Sequence, residues 1–383
     1  VDKDDYLYKQ LQNHIENRNM KYLVFLLKGI LSLPILLFAI ATFLGSAYLQ
    51  TLSLLLILVF IFYWPFFKKK KAVHITTRLL AIFLILSLQF TLFRGAPKAS
   101  IYLSEEAKQD LHSIYVVKKN DWPDGTEDIY LETQYGKVHV LAYGNDTLPS
   151  LLMFHAASMG AHSWAENLSP LLGKYRMYAV DNIGEGNLSE LKDPLVYPNS
   201  PKEIADFYAS IAEELGIESC PVFGASNGGF IAQVYTYYYP EKVESLALFG
   251  PMGLTPLSSK SIFMLSAASM YPLEFVRNNV VRWAFGNDPY CHQKYGDWFD
   301  SIMKGTIPSV AKPVPMTTEQ KQSMDLPISL FLGTSDPIVG DAEMARRAAE
   351  MYPDIQIEVL ESGHLISVEH RDYINKKITE FLD

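Results

Sequence analysis

The sequence predicts an α/β domain, a mostly parallel sheet with helices on both faces, carried behind an apolar N-terminal segment. Three observations predict it. From about residue 127 to the end, short apolar runs that read as strands alternate with stretches of helical spacing. One run, Pro221-Val222-Phe223, opens into Gly224-Ala225-Ser226-Asn227-Gly228, and helix-forming residues follow at once. Farther along, Asp336 and His364 each stand just past a predicted strand of their own.

The chain has 383 residues, enough for one full domain and a further segment. Hydrophobic residues make up 49% and charged residues 20%, and the apolar excess lies near the N-terminus. A net charge of −9, with no basic stripe, argues against a nucleic-acid partner. Cys220 and Cys291 show no zinc-ligand spacing. Cys220 opens a predicted strand, so a buried free thiol is expected there.

Residues 29–67 are almost unbroken apolar sequence, too long for a single crossing of roughly 20 residues. The turn Gly45–Gln50 divides them into spans over 29–46 and 50–67, and a third, shorter span is expected over 79–96 between flanking arginines. A cleaved signal peptide fits less well, because two more apolar segments follow and no small-residue cleavage site is visible. Lys21 and Lys28 precede the first span and Lys68–Lys71 follow the second, which places those ends in the cytoplasm. The lipid bilayer is thus one expected partner, and everything beyond the third span is expected outside the cytoplasm. Residues 97–126 read as a polar connection in which Ser104 caps a helix running to about Lys119.

Residues 127–383 carry the α/β pattern. Ile129–Thr133 and Lys137–Tyr143 alternate around Tyr135-Gly136 and read as a hairpin. Ser150–Phe154 and Tyr175–Val180 are continuous apolar runs, as expected of strands covered on both faces. A helix over Pro201–Leu215 is stopped by Gly216. Next come the strand before Ser226, its helix to about Tyr239, and the strand Val243–Phe249. Ile328–Leu332, a helix over Ala342–Met351, Gln356–Leu360 and a last helix complete the alternation. Residues 253–325 break it with apolar helical stretches and many aromatics, which predicts a helical cap inserted between two strands.

Strand, tight turn and helix in that order around Ser226 form the context of a nucleophile elbow. Alone, Gly-x-Ser-x-Gly is unspecific in a chain with 22 glycines. With it stand His155-Ala156-Ala157, Asp181-x-x-Gly184-x-Gly186, Gly333-Thr334-Ser335-Asp336-Pro337 and Ser362-Gly363-His364. From about Ser104 to the end the chain resembles an α/β-hydrolase. Within that superfamily it is most similar to bacterial carboxylesterases whose elbow reads Gly-x-Ser-x-Gly-Gly. Ser104-Glu105-Glu106-Ala107-Lys108 and Trp122-Pro123 look like that group too. One departure is Ala156, where the family has glycine.

Ser226 is the expected nucleophile, against the plainer reading of a buried turn serine. His364 is the expected base, against a surface histidine. Asp336 is expected to orient His364, with a turn aspartate as the rival reading and Asp341 as the fallback. The order Ser, Asp, His is the one this fold uses. The backbone N–H groups of Ala157 and Asn227 are the expected oxyanion donors. Asp181 and Glu185 lack a nearby His or Cys partner, so a hydrogen-bonded strand-end aspartate and a solvated glutamate are expected rather than a metal pair.

These expectations describe a membrane-anchored serine hydrolase, a carboxylesterase working through an acyl-enzyme on small-molecule esters without cofactor or metal. Lactone opening, C–C bond hydrolysis and perhydrolysis use the same three residues and stay open, as does a ligand-binding receptor module. Phe263, Tyr271, Phe275, Trp283 and Phe285 in the insertion suggest an apolar pocket or the cap's own core.

Overall fold

A computed structural model describes residues 100–383 apart from 259, 262, 263, 265–273, 287 and 311. The expected spans over 29–46, 50–67 and 79–96 lie outside the described residues. Among the described residues no helix is long and apolar enough to cross a membrane.

The sheet is built from β1 (Glu127–Glu132), β2 (Gly136–Tyr143), β3 (Ser150–Phe154), β4 (Arg176–Val180), β5 (Glu190–Leu191), β6 (Cys220–Ala225), β7 (Val243–Phe249), β8 (Ile328–Gly333) and β9 (Ile355–Leu360). Their order is β1-β2-β4-β3-β6-β7-β8-β9, with β5 beside β2. β1, β2 and β4 pair antiparallel, and every pairing from β4 across to β9 is parallel. Leu151–Phe154, Cys220–Gly224 and all of β8 are buried, which explains their unbroken apolar sequence.

Helices cover the sheet. α1 (Glu105–Lys119) precedes it, and α2 (Pro201–Glu214) and α3 (Asn227–Tyr238) flank β6. α4 (Glu274–Phe285), α5 (Pro289–Gly305) and α6 (Thr318–Gln322) fall within the insertion between β7 and β8. α7 (Ala342–Ala349), α8 (Ile366–Glu369) and α9 (Arg371–Leu382) complete the chain. α2 begins in a full capping box, Ser200 accepting from the Glu203 N–H while Glu203 reaches back to the Ser200 N–H.

α1 starts where Ser104 accepts a hydrogen bond from the Ala107 N–H at 3.1 Å. It does more than connect. Leu111 and Tyr115 are buried beneath it, and the preceding chain is tied to α5 by Leu103 N–H to Gly305 O and Ile307 N–H to Ile101 O, both 2.8 Å. In the insertion Phe285, Tyr295 and Trp298 are buried core. Phe263 and Tyr271 lie outside the described residues.

The chain leaves β3 toward β4 on one side and returns to β6 on the other. That reversal opens a crevice beyond the carboxyl ends of β3 and β6, the place where open α/β sheets take their ligands.

Candidate active site

β6 ends at Ala225 and α3 begins at Asn227, so the chain must turn on Ser226 alone. Ser226 has φ 50° and ψ −115°, a conformation that L-residues rarely adopt. Its neighbours fix it there. The Ser226 N–H donates to Phe249 O at 3.0 Å, and Ser226 O accepts from Met252 N–H at 2.9 Å. Strain of this kind persists only where the surroundings over-determine it.

His364 arrives on the loop between β9 and α8. Gly363 N–H donates to Glu369 at 3.0 Å, and Ser335 N–H to Ser362 O at 3.0 Å, so the loop is held on both sides. His364 Nε2 lies 2.7 Å from Ser226 Oγ, and Nδ1 lies 2.7 Å from Asp336 Oδ2. The second oxygen of Asp336 accepts the N–H groups of Ile338 at 2.8 Å and Val339 at 3.0 Å. An ionised carboxylate only accepts, so Nδ1 carries the ring proton and Nε2 presents a lone pair to the serine hydroxyl. All three side chains are buried. Asp341 caps α7 instead, accepting the Met344 N–H at 3.0 Å.

Ala157 and Asn227 stand at the ends of β3 and β6, and neither backbone N–H finds an acceptor among the described residues. Asn227 is also the first residue of α3, where the helix dipole adds partial positive charge. The loop bearing Ala157 is locked from below by buried His155. Its Nε2 accepts the Asn182 N–H at 2.9 Å, so its Nδ1–H donates to Ala156 O at 2.8 Å. Burial holds the His155 pKa below its ordinary value, which keeps the ring neutral. Ala156, in the family's glycine position, lines the cleft.

Asp181 is the hydrogen-bonded strand-end residue its sequence suggests. It accepts the Ala161 N–H and meets His139 Nδ1, both at 2.7 Å. Glu185 corrects the sequence reading. Expected in solvent, it is wholly buried and its Oε2 accepts the Ser158 N–H at 2.6 Å. Among the described residues no His, Cys, Asp and Glu cluster suited to a metal ion is found.

Over Ser226 lies a cleft with about 30 Å³ of free volume, walled by Met159, Trp164, Phe249, Leu365 and Val368. Met159 and Trp164 carry no sequence signature as lining residues. They follow the His155 loop into the short 3₁₀ turn Ala161–Asn167, and that proximity to a strand end is the only signal that could have flagged them.

A parallel sheet whose β6–α3 elbow carries a serine at the crevice is the α/β-hydrolase fold, and the chain is a hydrolase enzyme of that fold. Residues 149–282 match the family described as "alpha/beta hydrolase fold". The Bacillus subtilis (strain 168) protein "Uncharacterized carboxylesterase nap" is 28% identical over 270 residues, 68% of this chain and 88% of its own. "Carboxylesterase YbfK" from the same strain is 25% identical over 271 residues, 68% of this chain and 89% of its own. The crystal structure of naproxen esterase from Bacillus subtilis superposes with a TM-score of 0.66 at 26% identity, covering 73% of this chain and 99% of that one.

Proposed function

We propose that the protein is a membrane-anchored serine carboxylesterase acting on small-molecule esters with apolar acyl groups. The observation that carries this reading is the pair of 2.7 Å contacts linking Ser226 Oγ, His364 and Asp336. In the first step Ser226 Oγ attacks the ester carbonyl while His364 Nε2 takes its proton. Asp336 holds the Nδ1 proton and balances the imidazolium that forms. The unpaired N–H groups of Ala157 and Asn227 receive the developing oxyanion. His364 then returns the proton to the departing alkoxide, leaving an acyl-enzyme. Water, deprotonated by the same nitrogen, releases the acid and restores Ser226.

Ester cleavage is favoured over other chemistry by the company the chain keeps, since the relatives above are carboxylesterases by name. Anchoring rests on the apolar segments 29–46, 50–67 and 79–96, and an extracytoplasmic catalytic domain rests on the lysines at 21, 28 and 68–71. A fluorophosphonate tests the chemistry on the full chain. It should label the wild type and fail on Ser226→Ala, and turnover of nitrophenyl esters should vanish with the label. Equal labelling of the variant would refute the nucleophile. Protease added to intact spheroplasts should remove the C-terminal domain, and complete protection until lysis would refute the orientation.

A further inference from the structure

Glu185 is a buried carboxyl that the reaction above leaves without a task. Its backbone is built to turn it inward. Gly184 at φ 85° and Gly186 at φ 72° bracket it, and a Cβ would stand 2.4 Å from Ser309 O at Gly184 and 2.9 Å from Ile302 and Thr306 at Gly186. The carboxyl thus comes to rest behind the oxyanion loop. Oε2 accepts the N–H of Ser158, the residue next to Ala157, and Ser158 itself has φ 60°. Trp298 Nε1–H donates to Ser158 O at 3.0 Å, so the residue is gripped at both its N–H and its carbonyl.

The rest of the hydrogen bonding is incomplete in an informative way. Glu185 Oε1 is buried without a partner, and so is the side-chain Oδ1 of Asn227, the residue that follows the nucleophile. The Asn227 and Asn182 side chains lie close enough to Glu185 to influence its ionisation, yet neither donates to Oε1 in hydrogen-bonding geometry. The Ser158 N–H and the two amide side chains favour the ionised form, but an ionised carboxylate here would still leave Oε1 buried without a donor. A neutral acid brings its own O–H donor. It also avoids placing a negative charge beside the spot where the reaction must build one.

We propose that Glu185 is a positioning residue of the oxyanion site, standing behind Ser158 and Asn227 as a neutral carboxylic acid at neutral pH. This rests on the reading of Ser226 as the nucleophile. Burial first, aided by the charge of Asp181 and opposed by the Ser158 N–H and the Asn227 and Asn182 side chains, raises the Glu185 pKa to about 8. The titratable groups facing it are Asp181 beyond β4 and Tyr208 on α2. As pH passes about 8 the acid ionises, and its charge then opposes oxyanion formation.

The test measures kcat and KM for p-nitrophenyl acetate on the full chain from pH 6 to 9, with thermal melting alongside. Glu185→Gln keeps a donor and an acceptor without the charge, so at pH 7 it should hold kcat within about threefold of wild type. It should also lose the decline in kcat that the wild type shows as pH passes about 8. Glu185→Ala should lower kcat about tenfold or more with little change in KM, because the interaction it loosens acts on the transition state. The inference is overturned if Glu185→Ala turns over like wild type, or if Glu185→Gln at pH 7 is as slow as a tenfold loss, or if its alkaline limb matches the wild type. Should Glu185→Ala not fold, the rate and pH profile of Glu185→Gln decide alone. Ser226→Ala run in parallel separates the two readings. Its loss of turnover beside an unaffected Glu185→Ala removes only the role of Glu185, whereas turnover surviving in Ser226→Ala removes both.

Discussion

Gly228 presses against the backbone of Phe154 so closely that a Cβ on it would stand 2.0 Å from the Phe154 carbonyl oxygen and 2.5 Å from that of His155. Both obstacles are main chain at the end of β3, so neither can rotate away. This contact sets how near the first turn of α3 comes to the loop bearing Ala157, and therefore how the N–H groups of Ala157 and Asn227 are spaced. Gly228→Ala must push α3 from the sheet. It should cost several kcal/mol, beyond the usual 1–3 for overpacking, and abolish fluorophosphonate labelling of any folded protein. Gly296→Ala is the control. No atom outside α5 lies within 4 Å of that Cβ, and replacing a mid-helix glycine should stabilise by up to about 1 kcal/mol. Equal melting temperatures for wild type and Gly228→Ala would sink the argument.

Asp336→Asn separates catalysis from folding. The Oδ1 that accepts the Ile338 and Val339 N–H groups survives in asparagine, so the turn after β8 should hold and melting should shift by no more than about 1 kcal/mol. The Oδ2 facing His364 becomes an NH₂ donor, which demands a lone pair on Nδ1 and moves the ring proton to Nε2. Ser226 then meets a donor where it needs an acceptor. Turnover should fall by roughly four orders of magnitude. Near-normal turnover with an intact fold would mean another acid serves His364.

Both outcomes turn on features that differ in how far the sequence reveals them. Ser226 and Asp336 were legible because each follows an apolar run that reads as a buried parallel strand, and His364 because it follows the alternating edge strand β9 in a short loop. The structure brings all three to one crevice. Asn227 and Ala157, the proposed oxyanion donors, were chosen by their place in the chain, since that role asks only for a backbone N–H. Glu185 was not. A glutamate between two glycines reads as solvated until the fold shows both glycines at positive φ, turning it inward. The two-residue β5 has too few side chains to show a period. Within 253–325, apolar residues without alternation predicted helices but could not set where α4, α5 and α6 begin and end.

His162 gives a pH dependence with a definite sign. It is buried with neither ring nitrogen hydrogen-bonded, edge-on to Tyr115 at 4.9 Å and Trp298 at 4.8 Å. Burial, only partly offset by Asp181, lowers its pKa from 6.5 to about 3. The unfolded chain therefore binds a proton near pH 6.5 that the folded chain refuses. Stability contributed by the neutral ring is present above pH 6.5 and is lost as pH falls toward 3, at up to about 1.4 kcal/mol per unit. His162→Phe removes this penalty while keeping a ring in the aromatic cluster. Urea unfolding at pH 7 and pH 5 should show the variant gaining on wild type by about 2 kcal/mol over that interval. Other acid-sensitive groups, such as His155, are common to both proteins and cancel in the comparison. A difference that does not change between the two pH values would mean His162 is protonated or hydrated in the fold.

Acyl-chain selectivity follows from the size and lining of the cleft. Its walls are Ala156, Met159, Trp164, Phe249, Leu365 and Val368, so apolar acyl carbon gains burial there at about 0.8 kcal/mol per methylene, or about fourfold in kcat/KM. The cleft is small, with about 30 Å³ of free volume. The gain should therefore end early. Across nitrophenyl esters, kcat/KM should rise from acetate over the next one or two methylenes and fall by octanoate. The matching nitroanilides should be turned over far more slowly, because a departing nitrogen needs fuller protonation than a nitrophenolate, and His364 must supply that proton. Widening the wall tests the cause. Trp164→Ala opens the cleft beside Ser226, and in the protein that still folds the optimum should move to longer chains while acetate turnover declines. A wild-type series that climbs without a maximum to decanoate, or an optimum indifferent to Trp164, would show that these residues do not bound the acyl site.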